Sequence, residues 1–275
     1  MATLALGIAT SHIAMIVGAP ENGDPAQVAR FRAGYATLAQ ALARAKVDAL
    51  LVLSSDHINK FFLDNMPAFC LGVFDSFTGP AEASTGIPTR RVPSDPALAH
   101  HLLRHGLDHG IDWARAEEWV VDHGFMTPLY LLDREARIPA VPIHVNCAAP
   151  PYPSPARCYA VGRLLARAIA DWPTDKRIAI VAGGGLSHSP GDARMGAIDR
   201  AFDERFLTLV EAGDGAALAA LSDAEIEATG SSTGEIRSWI VLAGAMDGCR
   251  FQRIMYEPIE GFVTGCAQCV VYPKY

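Results

Sequence analysis

The stretch Asp48-Ala-Leu-Leu-Val-Leu53, running into Ser54-Ser-Asp-His57, decides how the rest of the chain is read. A short, continuous apolar run bounded by polar residues is what a strand buried on both faces of a parallel sheet requires. Its abrupt end in a carboxylate and an imidazole places chemistry at the mouth of that strand. Further runs of strand length lie at Thr3–Ile8, Ala68–Val73, Ala140–Val145 and Arg177–Ala182, and the last residues also read as strands. Between them stand segments of helical period. In Pro25–Ala45, Val28, Phe31, Tyr35, Leu38 and Leu42 recur at spacings of three and four, the stripe of an amphipathic helix. Pro96–His105, Ala156–Asp171, Ile198–Glu211, Ser222–Thr229 and Gly234–Met246 read as further helices. Strand-then-helix alternation without a composition shift predicts one α/β domain over residues 1–275, its central, mostly parallel sheet flanked by helices on both faces.

Composition bounds the function. The 275 residues are 50% hydrophobic and 19% charged with a formal net charge of −7, enough for a sizeable core. Lys and Arg form no block, which argues against nucleic acid or an anionic membrane as partner. Nothing approaches the roughly 18 consecutive apolar residues of a membrane span, and the N-terminus lacks the basic start of a signal peptide. Cys70, Cys147, Cys158, Cys249, Cys266 and Cys269 are scattered through a chain too long to need stapling. They read as reduced thiols in a cytoplasmic protein. Cys266-x-x-Cys269 has no second pair and reads as two strand residues, not a zinc site.

Ligands of open α/β sheets bind outside the carboxyl ends of the strands. Thr3–Ile8 leads to Ser11-His12, Asp48–Leu53 to Asp56-His57, and Arg177–Ala182 through Gly183-Gly-Gly-Leu-Ser to His188. Asp122-His123 follows a fourth apolar stretch, Trp119-Val-Val121. A lone loop histidine is usually solvated or packed, but four at matching topological positions point to one rim. His100, His101, His105 and His109 belong to one helix and its end and are read as packing or solvated residues; His144, inside a strand, is read as structural. Gly183–Gly185 is followed by no Gly-Lys-Ser/Thr and is no phosphate loop. Gly185-Leu-Ser-His-Ser189 is not the Gly-x-Ser-x-Gly of a hydrolase elbow. The glycines instead suit a sharp turn and close backbone approach.

Five stretches then resemble, in order, the class III (LigB-type) extradiol ring-cleavage dioxygenases, the family of protocatechuate 4,5-dioxygenase catalytic subunits and 2,3-dihydroxyphenylpropionate dioxygenases. They are Ser11-His12, Ser55–Gly72, Val121-Asp-His-Gly-Phe125, Gly184-Gly-Leu-Ser-His188 and Ser232-Thr-Gly-Glu-Ile-Arg-Ser-Trp239. Residues 61–72 look more like the dihydroxyphenylpropionate branch, and residues 145–159 more like the protocatechuate branch. The resemblance implies a non-haem Fe(II) held by His12, His57 and Glu235, with His188 and His123 as acid/base residues. Asp56 and Asp122 are cast as neighbours that orient adjacent histidines. Asn59, Phe61, Phe62, Met66, Pro67 and Phe69 are expected near the pocket, the apolar ones as its walls. Two imidazoles and one carboxylate on one side of an ion leave three positions for a catechol and O₂. Histidine suits proton transfer because its pKa lies near neutrality. The partners implied are a catechol-type substrate and O₂, with a homo-oligomer or a small accessory subunit. Two rival readings are a zinc hydrolase using the same His/His/Glu set and a binding protein that has lost its metal.

Overall fold

A computed structural model describes residues 1–274. In chain order its strands are β1 (Thr3–Thr10), β2 (Ala49–Ser54), β3 (Phe69–Gly72), β4 (Ser76–Gly79), β5 (Arg90–Pro93), β6 (Ala114–Ala116), β7 (Ala140–Val145), β8 (Arg177–Gly183), β9 (Gln252–Ile259) and β10 (Thr264–Val271). The helices are α1 (Met15–Gly18), α2 (Pro25–Ala45), α3 (Pro96–Asp108), α4 (His123–Leu132), α5 (Pro155–Asp171), α6 (Arg200–Ala212), α7 (Gly215–Ala219), α8 (Asp223–Ala228) and α9 (Ile236–Ala245). An eight-stranded sheet runs in the order β6-β3-β7-β2-β8-β1-β10-β9.

The apolar run that opened the sequence is β2, buried throughout. Its neighbours β7 and β8 are parallel to it, and β8 in turn pairs parallel with β1. Successive side chains of β2 feed opposite faces, as a period of two requires. Leu51 and Leu53 join the core beneath α3, α5, α6 and α9, whereas Leu50 and Val52 join the core beneath α2 and α4. Each such aliphatic side chain withdrawn from water contributes roughly 1.5–3 kcal/mol, so both layers are tied to this one strand. Towards the edges, β10 pairs antiparallel with β1, β9 with β10, and β3 with β7. The parallel part is therefore the centre, and it carries the functional strand ends.

Helix starts follow local chemistry. Asp24 accepts from the N–H groups of Ala26 and Gln27 ahead of α2, and Ser154 caps α5 through Arg157, each with a proline in the first turn. Some elements differ from the sequence expectation. Trp119–Val121 is not a strand of the main sheet; Val121 N–H donates to Thr78 (3.0 Å) and Ala81 N–H to Val121 (2.9 Å). Asp122 then caps α4 through Gly124 N–H. That helix hides from periodicity because it is buried on most sides and contains Pro128. The β4–β5 hairpin hides because its strands are short and partly polar. Cys266 and Cys269 lie in β10, and all six cysteines are free and buried. Among the described residues, no helix is long and apolar enough to cross a membrane.

Candidate metal centre

The ends of β1, β2 and β8 lie side by side and deliver His12, His57 and His188 to one place. His12 and His188 are almost fully buried, and His57 is partly open. The fourth imidazole, His123, is the first residue of α4, and its ring stacks on that of His57 with centroids 4.3 Å apart. Glu235 comes from the turn of 3₁₀ helix before α9. Its carboxylate lies 3.1 Å from His12 Nε2, 3.0 Å from His57 Nε2 and 3.6 Å from His188 Nε2.

Glu235 reaches this point because the glycines let it. Gly184 has φ +152°, and a Cβ there would stand 2.8 Å from the Glu235 carbonyl oxygen. Gly185 N–H donates to Glu235 Oε2 at 2.7 Å, and Trp239 Nε1 donates to the Gly184 carbonyl at 3.1 Å, which seats α9 on the loop. The close approach expected of the triple glycine is made to this carboxylate and to His12.

Every imidazole of the group is held at Nδ1 by an acceptor, so Nε2 is the nitrogen left to act. His12 Nδ1 donates to Ser54 Oγ at 3.2 Å, whose hydroxyl donates on to the Ser55 carbonyl. His57 Nδ1 donates to Asp122 at 2.8 Å, and His57 backbone N–H to the same oxygen at 2.6 Å. His188 Nδ1 donates to the Leu186 carbonyl at 2.7 Å. His123 Nδ1 donates to Glu82 at 2.7 Å. These tautomers are assigned from the hydrogen-bond network. Ile58, next to His57, sits at φ +58°, a strained setting for a β-branched residue.

Burial lowers the pKa of His12 and outweighs the pull of Glu235, favouring the neutral imidazole. Burial acts the same way on His57, but Asp122 and Glu235 overcome it and raise its pKa well above the usual value. His188 is also raised, by Glu235 against burial. Burial alone would raise Glu235; the facing imidazoles of His12 and His188 instead hold it well below the carboxylate range.

His12, His57, His123, His188 and Glu235 line a cavity of about 190 Å³, together with Ile13, Pro190, Val263 and the hydroxyl residues Ser232 and Thr264. His12, His57 and His123 also present ring nitrogens within 4.8 Å of one another. In that group the rings of His57 and His123 are stacked, with an angle of 29° between their planes. The rings of His12 and His57 meet at 74° and converge on the Glu235 carboxylate. Glu235 oxygens lie 3.1 Å from His12 Nε2 and 3.0 Å from His57 Nε2, near the roughly 3.0 Å expected between cis donors about 2.1 Å from one octahedral ion. The donor set fits a metal.

Some expected residues stand elsewhere. The Asp56 carboxylate bonds no histidine ring; it accepts from the N–H groups of Asn59, Lys60 and Phe61 and closes its own loop. Asp122 does orient a histidine, but His57 across the fold and not its neighbour. Phe62 is 53% exposed and lines no part of the cavity. Phe61 and Phe69 belong to the core, and neither Met66 nor Pro67 lines the cavity. Asn59 is set back from it, bonded to the His57 carbonyl and to Glu82. Glu82 and Ser54 escaped sequence reading, since nothing in their spacing ties them to the histidines they hold.

Residues 6–265 match the family model described as the catalytic LigB subunit of aromatic ring-opening dioxygenase. The chain belongs to the LigB family. It is 29% identical to a 2,3-dihydroxyphenylpropionate/2,3-dihydroxicinnamic acid 1,2-dioxygenase of Photorhabdus laumondii over 97% of this chain and 96% of that protein. It is 31% identical to the protein of the same name from Burkholderia vietnamiensis, over 75% and 79% of the two chains. Among solved structures, an uncharacterized protein from Escherichia coli K12 shares the fold, with a TM-score of 0.62 at 17% identity over 96% of this chain and 99% of that one. This LigB-family chain is therefore an enzyme, an extradiol ring-cleaving dioxygenase acting on a catechol-type ring, with a catalytic metal.

Proposed function

We propose that the metal is Fe(II), held by His12 Nε2, His57 Nε2 and Glu235, and that His188 and His123 move protons during cleavage of the ring next to its two hydroxyls. The observation that carries this reading is the convergence of two imidazoles and one carboxylate within 3.1 Å at the floor of a cavity. When bound, a ferrous ion would hold catechol and O₂ together and lift the spin barrier between a closed-shell ring and triplet oxygen. The chain's own groups do the rest. With the ion bound, Glu235 would leave the site a single positive charge, which a monoanionic catechol would neutralise in a dry pocket. Ile13, Pro190 and Val263 offer apolar surface to the ring and exclude water. His188, whose Nδ1 is held by the Leu186 carbonyl and whose ring lines the cavity, takes the proton that a catechol hydroxyl releases on binding. His123, stacked on His57, returns a proton when the ring opens. Such groups contribute about 10²–10⁴-fold each.

Residues 1–275 are read as one catalytic domain, since the site draws on segments from residue 12 to Thr264. The free, buried thiols support a reducing cytoplasm. The test is anaerobic reconstitution with Fe(II), then oxygen uptake across substituted catechols, including the dihydroxyphenylpropionate named for the relatives. Iron-dependent uptake with a yellow ring-opened product is the expected result. Activity with zinc alone, and hydrolysis in place of uptake, would replace Fe(II) with the hydrolytic alternative.

A further inference from the structure

One carboxylate beside the cavity, that of Glu82, bonds a rim histidine without belonging to the ligand set. Glu82 follows β4, and this segment is fastened to the stretch that leads into α4: Val121 N–H donates to Thr78 and Ala81 N–H to Val121. Gly79 permits the fit, since a Cβ there would stand 2.7 Å from the Val121 carbonyl oxygen. The pinning brings Glu82 onto His123. Oε1 lies 2.7 Å from His123 Nδ1, and Oε2 accepts the His123 backbone N–H at 3.0 Å. The arrangement repeats the grip of Asp122 on His57, where one carboxylate also takes both Nδ1 and the backbone N–H. Asn59 joins the two grips by donating to Glu82 Oε1 (3.2 Å) and to the His57 carbonyl (3.3 Å).

A second cavity, about 310 Å³, lies on the far side of His123, lined by Ala14, Met15, Glu82, Ser84 and Thr85 among others. His123 is the residue that both cavities share. Its ring thus has room to swing away from the site, and the hydrogen bonds to Glu82 oppose that swing. We propose that Glu82 is a positioning residue for His123: it fixes the Nδ1–H tautomer and holds Nε2 towards the catalytic cavity, against rotation into the neighbouring one. This rests on the proton-transfer role of His123. Burial would raise the Glu82 pKa, but its bond to His123 lowers it, so the partner is a carboxylate at neutral pH.

The experiment compares Glu82→Ala, Glu82→Gln, His123→Ala and the Glu82→Ala/His123→Ala double variant, each loaded with Fe(II) and assayed on one catechol that the wild type cleaves. Glu82→Ala is expected to keep its iron and its KM and to lose about 10–100-fold in kcat, part of the roughly 10²–10⁴-fold that a positioned acid/base group contributes. Glu82→Gln, which still offers an oxygen to Nδ1–H, recovers most of that loss. The double variant is no slower than His123→Ala, because Glu82 acts through the ring. Should Glu82→Ala not fold, Glu82→Asp reads the same point by withdrawing the oxygens one methylene. Wild-type kcat in both Glu82→Ala and Glu82→Asp, or losses that multiply in the double variant, would overturn the proposal. So would loss of iron in step with kcat. Wild-type kcat in His123→Ala would instead remove the acid/base role beneath it.

Discussion

Two groups of four histidines stand in this molecule and do different things. In the rim group, His12, His57, His123 and His188, an acceptor occupies every Nδ1, and three Nε2 atoms come within 3.6 Å of one buried carboxylate. In the row on and after α3, the ring nitrogens that are bonded serve structure. His101 Nε2 donates to the Ala168 carbonyl, one of the last carbonyls of α5 that no helical N–H can reach, and His105 Nε2 to Asp171. His109 Nδ1 donates to the His105 carbonyl, and the His105 and His109 rings stack at 4.0 Å. His100 is exposed. Abundance and proximity of imidazoles therefore do not make a site. What makes one is a second acceptor behind each ring, which frees Nε2, and a carboxylate in front of it.

The largest contrast expected from this comparison is in metal content. His57→Ala or Glu235→Ala is expected to lose the metal and bring oxygen uptake to background, while His101→Ala retains both; metal analysis beside an oxygen electrode reads the pair. Full iron and full turnover in any of His12→Ala, His57→Ala or Glu235→Ala would remove that residue from the ligand set. Next comes a division within the rim group. His188→Ala is expected to keep its metal while kcat falls about 10²–10⁴-fold, measured on iron-loaded protein. A smaller effect sharpens the role of the acceptor behind the ring. Asp122→Asn is expected to weaken metal binding about 10–100-fold without abolishing it, read by competition with a chelator.

The ninth histidine, His144, separates burial from function. It is fully buried in β7, its Nδ1 accepts the Asp56 backbone N–H at 3.0 Å, and burial pushes its pKa down to about 4. The unfolded chain, with an imidazole pKa near ~6.5, takes up a proton that the folded chain refuses. Stability from this group is therefore present above pH ~6.5 and is lost as pH falls towards 4, by up to ~3 kcal/mol. His144→Gln keeps an acceptor for Asp56 and is expected to flatten that part of the decline, as urea denaturation at pH 7 and pH 4.5 would show. An unchanged difference between the two pH values would assign the acid sensitivity to other groups. The smallest effect belongs to the α3 row: His101→Ala is expected to cost about 1 kcal/mol of stability and no activity, as thermal denaturation and the same uptake assay would register.

Much of this was legible before the fold was seen. Apolar runs at 3–8, 48–53, 140–145 and 177–182 predicted the central parallel strands, because a strand buried on both faces is apolar almost throughout. The helix at 123–132 was not legible, because burial on most sides erases the period that marks a helix. Phe62 was read as a pocket wall on the strength of its neighbours, yet the Asp56 loop turns it to solvent. Ser54 could be seen only as the end of a strand, and Glu82 only as a polar residue in a loop, since neither spacing nor composition says which ring a side chain will meet.

By itself, then, the sequence determined the sheet, the order of its parallel strands along the chain, and the placing of histidines just beyond three strand ends. These are consequences of burial and period, which are local properties. Tertiary structure alone decided that Asp122 holds His57 and not its neighbour, that Asp56 turns back on its own loop, and that Glu82 stands behind His123. The Asp122–His57 and Glu82–His123 pairings depend on segments about 40 or more residues apart meeting within a hydrogen bond's length, a distance that packing sets and no pattern along the chain encodes.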